Sequence, residues 1–459
     1  MPTDPNTNPG AAVSISNTPQ AKNDVASGAE NGVFVIDVMA NDLGGSAKSL
    51  YSVDQSNPLT VATTATTALG ATVTMVDGKV RYVANGSQID KLAAGQTATD
   101  TFTYVIRLAN GALSTATVTV TVTGTNDGPV LAADTTAVHA LSEIAGATDG
   151  AGVIASSATL GFTDLDLNDT HTVSLGAPAA TWSGGAVIPA ATLAALAAAA
   201  SATVTDSTGS GVGSVGVNFS LADNLTDFLA AGETLMVTYN VTIKDNNNAA
   251  STQPVTFKIT GTNDRPVANA DSGAGAENQT LTLDVLANDT DVDNGATKTL
   301  VSATAPSGKG SASVVANQLV FNPGAAFDHL AQGATETVTL SYTMQDDQGA
   351  QATSTVTVTV TGTNDGPVAV ADAASTTENQ AITVDVLAND TDVDDGHVFT
   401  LVAVGAPAGK GSVAIVDNKL AFNPGADFDH LALGVSETVT LTYTMQDEHG
   451  AQSSSTVTL

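Results

Sequence analysis

Cysteine is absent from this 459-residue sequence, which excludes a disulfide framework, thiolate catalysis and cysteine-ligated zinc. Basic residues are scarce: 13 Lys and Arg stand against 46 Asp and Glu, for a net charge of −33. A nucleic-acid role is disfavoured, because neutralising phosphates needs basic side chains that are missing here. So much negative charge repels itself unless cations bind it. No apolar run reaches about 18 residues without a polar break, so no segment reads as a membrane-spanning helix. The nearest candidate is a short Ala/Leu helix signal at 190–200. Met1 to Gly10 is polar, without the basic start and apolar centre of a secretory signal. Phosphate-binding Gly-rich loops, His-Glu-x-x-His and Gly-x-Ser-x-Gly are also missing. Gly209–Gly213 reads as a glycine-rich turn. The expectation is a protein that is not an enzyme.

Aromatic residues make up 4% of the chain against 42% hydrophobic. The apolar load falls on Val, Ala and Leu, interleaved with Thr, and β-branched residues suit a pleated, half-buried surface. One pentapeptide, Thr-Gly-Thr-Asn-Asp, recurs at 123–127, 260–264 and 361–365. Each copy follows alternating Thr and Val and precedes Pro129, Pro266 or Pro367 after one residue. Glycine lets the chain turn at a strand end, and proline stiffens the restart. Repetition of one junction marks a tandem array.

Five segments follow: a flexible N-terminal linker at 1–20 and modules at 21–127, 128–264, 265–365 and 366–459. The last two are close copies; Phe321-Asn-Pro-Gly324 returns as Phe422-Asn-Pro-Gly425. Module two is longer, with an insertion holding Trp182 and the Ala-rich helix. In module three the pattern predicts strands at 267–270, 280–285, 298–303, 311–315, 318–321, 335–344 and 352–360. Val356, Val358 and Val360 alternate with threonines, core side against water side. Seven such strands predict an all-β, elongated tandem array of Greek-key β-sandwich modules. Module four stops inside its last strand, and the next junction pentapeptide would fall at 462–466, so the array reads as cut. Tyr104, Tyr239, Tyr342 and Tyr443 head the strand before the last hairpin and read as buried rings with hydroxyls tied to backbone. His329 and His430 occupy loop positions as weaker metal candidates.

The carboxylates fall in register. Asn126 and Asp127, Asn263 and Asp264, and Asn364 and Asp365 lie at the junctions. Glu277 and Glu378 follow, then Asp289, Asp291 and Asp293, matched by Asp390, Asp392 and Asp394; Asp346 closes module three. Module two supplies Glu143, Asp164, Asp166 and Asp245. These hard oxygen ligands suit calcium, which takes six to eight of them. The loops are not EF-hands: Gly295 and Gly396 fall one place late, and Leu300 or Leu401 stands where a bidentate Glu belongs. Ligands would therefore converge from separate loops where modules meet.

The run Val118-Thr-Val-Thr-Val-Thr-Gly-Thr-Asn-Asp-Gly-Pro-Val130 resembles the junction of the VCBS repeats of bacterial surface proteins. Gly161–Val173, Trp182 and Leu229–Leu235 are similar to the body of that repeat. Val285–Asp293 and Tyr342–Asp346 resemble bacterial cadherin-like (tandem-95) domains. The resemblance implies β-sandwich modules of giant, type I-secreted adhesins, extracellular at the bacterial surface and stiffened by calcium at their joints. The expected function is a calcium-rigidified stalk supporting adhesion or biofilm formation. Its expected partners are calcium ions, neighbouring repeats of a longer chain, and a host, surface or glycan ligand. Alternatives are a glycan-binding module around Trp182 and 184–213, or a surface-layer or filament subunit. Module one lacks Asp-Val-Asp after Met39-Ala-Asn-Asp42, so the first joint is expected to keep only linker and module-two ligands, and the later two to bind best.

Overall fold

The computed structural model describes residues 21–53, 60–146, 152–185 and 187–459; the expected linker at 1–20 lies outside them. The chain is all-β, built of tandem β-sandwiches. Among the described residues the strands form eight sheets, two to a sandwich. A division between Thr262 and Asn263 separates two compact units.

In the first unit, one sheet of the first sandwich orders Asp24–Ala29, Leu113–Thr123, Thr97–Leu108 and Lys48–Ser52. The other orders Val33–Ile36, Lys79–Val83, Thr72–Val76 and Thr64–Thr66. Between them Val73, Val80, Tyr82, Phe102, Val118, Val120 and Val122 make a core, while the intervening threonines of Leu113–Thr123 face outward. Asp24–Ala29 pairs in parallel with Val118–Thr123, and the sequence pattern did not anticipate this strand. Its Gly28 is needed where it stands: a Cβ there would lie 1.9 Å from Phe34 Cε1. A buried carboxylate, Asp100, accepts hydrogen bonds from the Tyr82 hydroxyl (2.7 Å) and the Thr67 hydroxyl (2.5 Å).

The second sandwich sets His139–Ser142, Ala250–Thr260, Thr234–Asp245 and His171–Leu175 in one sheet, with Ala179–Trp182 also on Thr234–Asp245. The opposite sheet orders Ala200–Thr205, Val212–Ala222, Val153–Thr163 and Val130–Leu131. The Ala-rich helix is shorter than expected, Ala190–Leu196. Beyond it the pattern changes to a strand, with Ala200, Ala202 and Val204 packed on the core and Ala200–Thr205 paired with Ser214–Phe219.

In the second unit the third sandwich orders Asp271–Ala276, Gln351–Thr361, Thr335–Gln345 and Thr299–Thr304 against Leu281–Leu283, Gln318–Asn322 and Ser311–Val315. The fourth repeats it with Asp372–Ala373, Gln452–Thr458, Thr440–Gln446 and Thr400–Gly405 against Ile382–Val384, Lys419–Asn423 and Ser412–Val416. Six of the seven expected strands of module three form; at 267–270 only Val267 pairs, in a bridge with Thr290. The first strand instead begins at Asp271. Hairpin tips at Ala316-Asn317 and Asp417-Asn418 take positive φ, where asparagine is tolerated. From there Asn317 and Asn418 each accept a hydrogen bond from the backbone N–H of Leu300 or Leu401 (2.7 Å), beside a register shift in the facing sheet.

The four tyrosines are buried, and their hydroxyls lie on backbone carbonyls: Val38 O for Tyr104, Leu196 O for Tyr239, Asn269 O for Tyr342 and Val370 O for Tyr443.

Candidate cation sites at the module junctions

The junction glycines set the geometry. Gly124 packs so closely on the preceding loop that a Cβ would lie 2.2 Å from Leu92 O, and Gly362 is equally tight against Leu330 O. The chain is thereby held on a glutamate of the module it leaves. Glu30 Oε1 accepts hydrogen bonds from the Thr125 N–H (2.5 Å) and hydroxyl (2.9 Å); Glu277 Oε1 accepts them from Thr363 (2.7 and 2.9 Å). The junction then enters the next module in one recurring way. The N–H of Asp127 donates to Asp166, that of Asp264 to Asp293 and that of Asp365 to Asp394, each at 3.0 Å. The side-chain amides of Asn126, Asn263 and Asn364 donate to Asp245, Asp346 and Asp447 (2.8–3.0 Å). Within each Asp-x-Asp turn the second N–H donates to the first carboxylate: Asp166 to Asp164, Asp293 to Asp291, Asp394 to Asp392.

These bonds use one oxygen of many carboxylates and leave the other unmatched. Glu30 Oε2, Asn126 Oδ1 and Asp166 Oδ1 in the first unit are buried without a hydrogen-bond partner. So are Glu277 Oε2, Asp291 Oδ2, Asp293 Oδ1, Asp392 Oδ2 and Asp394 Oδ1 in the second. Glu30, Asp127 and Asp166 each place an oxygen within 4.8 Å of the others, and Asp164, Asp169 and Asp245 form a second such group. Buried anions oppose one another's ionisation. Burial, then the charges of Asp169, Asp127 and Asp164, pushes the Asp166 carboxyl up to about 7. Burial, then Asp291 and Asp346, pushes Asp293 up to about 6. Asp365 is raised by burial and by Glu277, Asp328 and Asp392. Asp394 is raised by burial and by Asp392 and Asp365. Unmatched, mutually repelling oxygens of this kind fit a hard divalent cation.

Some of the expected ligands sit elsewhere. Asp289 and Asp390 turn away from the junction onto Tyr342 and Tyr443. Glu143, by contrast, keeps the junction role of Glu30 and Glu277, accepting from the Thr262 N–H (2.9 Å). Glu378 is half-buried and lines a cavity of about 530 Å3 in the fourth sandwich. His329 and His430 lie on Glu336 (3.5 Å) and Glu437 (3.3 Å). Trp182 packs edge-on to Phe228 against the core and donates its Nε1–H to Glu233 (3.0 Å).

Glu30 and Asp90 do not stand out when the sequence is read alone, whereas Asp169 closes the acidic run that begins at Asp164. Glu30 joins Asp127 and Asp166 at the first joint, where the sequence alone offers only linker and module-two groups. Its signal was present: Glu-Asn recurs at 30–31, 277–278 and 378–379. Asp90, with an unpartnered buried oxygen, belongs to a recurring Asp-x-Leu-Ala, with Asp227, Asp328 and Asp429. A further group was also unforeseen: His171 is enclosed between Asp164 (2.9 Å) and Asp206 (2.7 Å). Burial lowers its pKa, but Asp206 and Asp164 outweigh that and raise it.

The families that match parts of this chain are of Ig-like and cadherin-like bacterial domains. Residues 16–121 and 364–459 match the bacterial Ig domain family, and residues 263–362 match the bacterial cadherin-like domain family. Among solved structures the chain is similar to protocadherin gamma B7 cadherin domains 1–4, at 15% identity and TM-score 0.43 over 95% of this chain and 99% of that one. It is similar to the protocadherin gamma B7 EC3–6 cis-dimer at 14% identity and TM-score 0.45, over 96% and 100%. It is also similar to Drosophila N-cadherin EC1–4 at 15% identity and TM-score 0.29, over 95% and 98%. No curated protein matches it in sequence. No helix of the described residues is long and apolar enough to cross a membrane.

Proposed function

We propose that this chain is a calcium-stiffened stalk segment of a bacterial surface adhesin, extracellular and without catalytic activity. One observation carries the reading. At the junctions after Thr123 and Thr361, a glutamate of one sandwich, the linker aspartate and the Asp-x-Asp turn of the next converge on buried oxygens lacking donors. At the first, Glu30, Asp127 and Asp166 would hold the ion, with Asp164, Asp169 and Asp245 around a second position. At the other, Glu277, Asp365, Asp392 and Asp394 would do so. A bound calcium supplies the positive charge that ionised carboxylates need in order to stay together. The chain's own residues do the rest: glycine and glutamate clamp the linker to the module behind, and Asp-x-Asp clamps it to the module ahead. Without neutralisation the same carboxylates repel, so the joint loosens where calcium is scarce and tightens at the cell surface. The VCBS-like junction supports placement in a large secreted adhesin of the type that builds biofilms.

The test is calcium-dependent melting of the full chain together with small-angle scattering. Calcium at about a hundredfold its Kd stabilises the folded state by about 2.7 kcal/mol per site. Melting transitions should rise and the scattering dimension lengthen. An unchanged melting profile removes the mechanism and leaves the sandwiches standing.

A further inference from the structure

A different cluster recurs inside the sandwiches, around the tyrosine hydroxyls. In the first, the Tyr104 hydroxyl lies 2.9 Å from Lys22 O, 2.8 Å from Val38 O and 2.9 Å from Asp42 Oδ1, with Asp24 against it as well. In the third, the Tyr342 hydroxyl lies 2.8 Å from Asn269 O and 3.0 and 3.1 Å from the two oxygens of Asp289, beside Asp271. In the fourth, the Tyr443 hydroxyl lies 2.8 Å from Val370 O and 2.8 Å from Asp390 Oδ1, beside Asp372. A phenol has one proton to give. Each hydroxyl therefore faces more acceptors than it can serve, two of them carboxylates.

The surplus is visible on individual atoms. Asp42 and Asp390 are 6% and 9% exposed, and the Oδ2 of each is buried without a hydrogen-bond partner. The same is true of Oδ2 of Asp24, Asp271 and Asp372. Asp42 Oδ1 is already committed to the Lys22 N–H (2.6 Å), and Asp390 Oδ1 to the Val370 N–H (2.7 Å). Donors are present, among them the Asn269 N–H on Asp289 (2.6 Å), while the Lys48 and Lys298 ammonium groups are spent on the backbone carbonyls of Asp42 and Asp289. They are fewer than the acceptors: two carboxylates and two or more carbonyl or phenol oxygens with buried oxygens left over make a set that a hard cation satisfies. The second sandwich is the natural control. Tyr239 gives its proton to Leu196 O (2.6 Å), and burial alone raises its pKa.

We propose that the oxygen cages at Tyr104, Tyr342 and Tyr443 each bind a hard cation of the calcium type inside a single sandwich, separate from the junction ions. The Ala-Asn-Asp turns at 40–42, 287–289 and 388–390 thereby acquire a role: they bring a carboxylate to the tyrosine at the base of the first strand. The bound ion ties that strand to the strand bearing the tyrosine, so each sandwich is pinned internally before its junctions are.

The experiment counts calcium bound to the full chain by equilibrium dialysis and follows terbium emission sensitised through tyrosine. The cage variant is Asp24→Asn/Asp271→Asn/Asp372→Asn; the junction variant is Asp166→Asn/Asp293→Asn/Asp394→Asn. The cage variant should bind three fewer calcium ions and lose most of the tyrosine-sensitised emission, while the junction variant keeps that emission. Asp372→Asn alone, which perturbs one sandwich, should remove about one third of it. Unchanged calcium stoichiometry in the cage variant overturns the proposal and leaves the junction reading intact. So does wild-type chain without tyrosine-sensitised emission, which would mean that the cage carboxyls share a proton. Loss of calcium from the cage variant only, with the junction variant unaffected, sinks the junction reading and spares this one.

Discussion

Replacing Asp166 by asparagine should change the sign of its effect with calcium. The carboxyl is fully buried, its Oδ1 lacks a donor, and its pKa stands at about 7 against an ordinary 3.8. Because the folded form keeps the proton where the unfolded chain has released it, stability without calcium is full below about pH 4. It then falls as pH rises to about 7, and stays low above. A displacement of about 3 units corresponds to about 4 kcal/mol at most. Splaying of the junction and water entry would reduce that to about 2 kcal/mol. Asparagine keeps an oxygen for the Asp127 N–H and presents an amide where Oδ1 found only carboxylates. In chelator at pH 8, Asp166→Asn should therefore be more stable than wild type by about 2 kcal/mol. For a module of this size that is on the order of 10 °C in the affected transition. In saturating calcium the order should reverse, since the variant has lost a ligand. Differential scanning calorimetry of the full chain, with and without calcium, reads both differences. A variant less stable than wild type in chelator, or one with the same calcium-induced shift, refutes the reasoning.

Calcium affinity at the first junction should fall about tenfold or more between pH 8 and pH 5.5 as Asp166 regains a proton that calcium must displace, read by titration with a calcium indicator. A calcium affinity flat across that window would mean that this carboxyl is not a ligand. Gly362→Val should destabilise the third sandwich by about 3 kcal/mol, because its Cβ has no room against Leu330 O. Gly295→Ala, at φ 74° with open space around it, should cost only about 1 kcal/mol; urea unfolding compares the two. Tyr82→Phe removes a hydroxyl that Asp100 accepts from in the core, and should cost about 2 kcal/mol by the same assay. Trp182→Ala should cost about 3 kcal/mol through lost packing on Phe228. A glycan array unresponsive to wild type and variant alike would separate that packing role from a binding one.

What the sequence discloses, and what it hides, follows from which residues carry a pattern. The Thr/Val alternation of Gln351–Thr361 gives its strand almost to the residue, because one face is core and the other water. Asp271–Ala276 is equally a strand but reads Asp-Ser-Gly-Ala-Gly-Ala, with no large side chain to alternate. Its glycines answer a neighbour: a Cβ at Gly275 would lie 2.1 Å from Leu281 Cδ1, so the space is filled from the next strand. The same asymmetry governs the acidic residues. The run 289–293 looks like one ligand loop in sequence, since its aspartates alternate like the teeth of a chelator. The segment is not a strand, however, but a turn around the Val267–Thr290 bridge, so aspartates two apart do not share a face. Asp289 turns inward to Tyr342, while the Asp293 carboxylate receives the N–H of Asp264 at the junction. Glu30 shows the converse, a single acid without acidic neighbours, 97 residues before Asp127, that becomes a junction group because the glycine turn at 124 brings the chain back past it. Local spacing therefore identifies carboxylates able to bind a cation. Which of them share one ion is decided by strand pairing across most of a module.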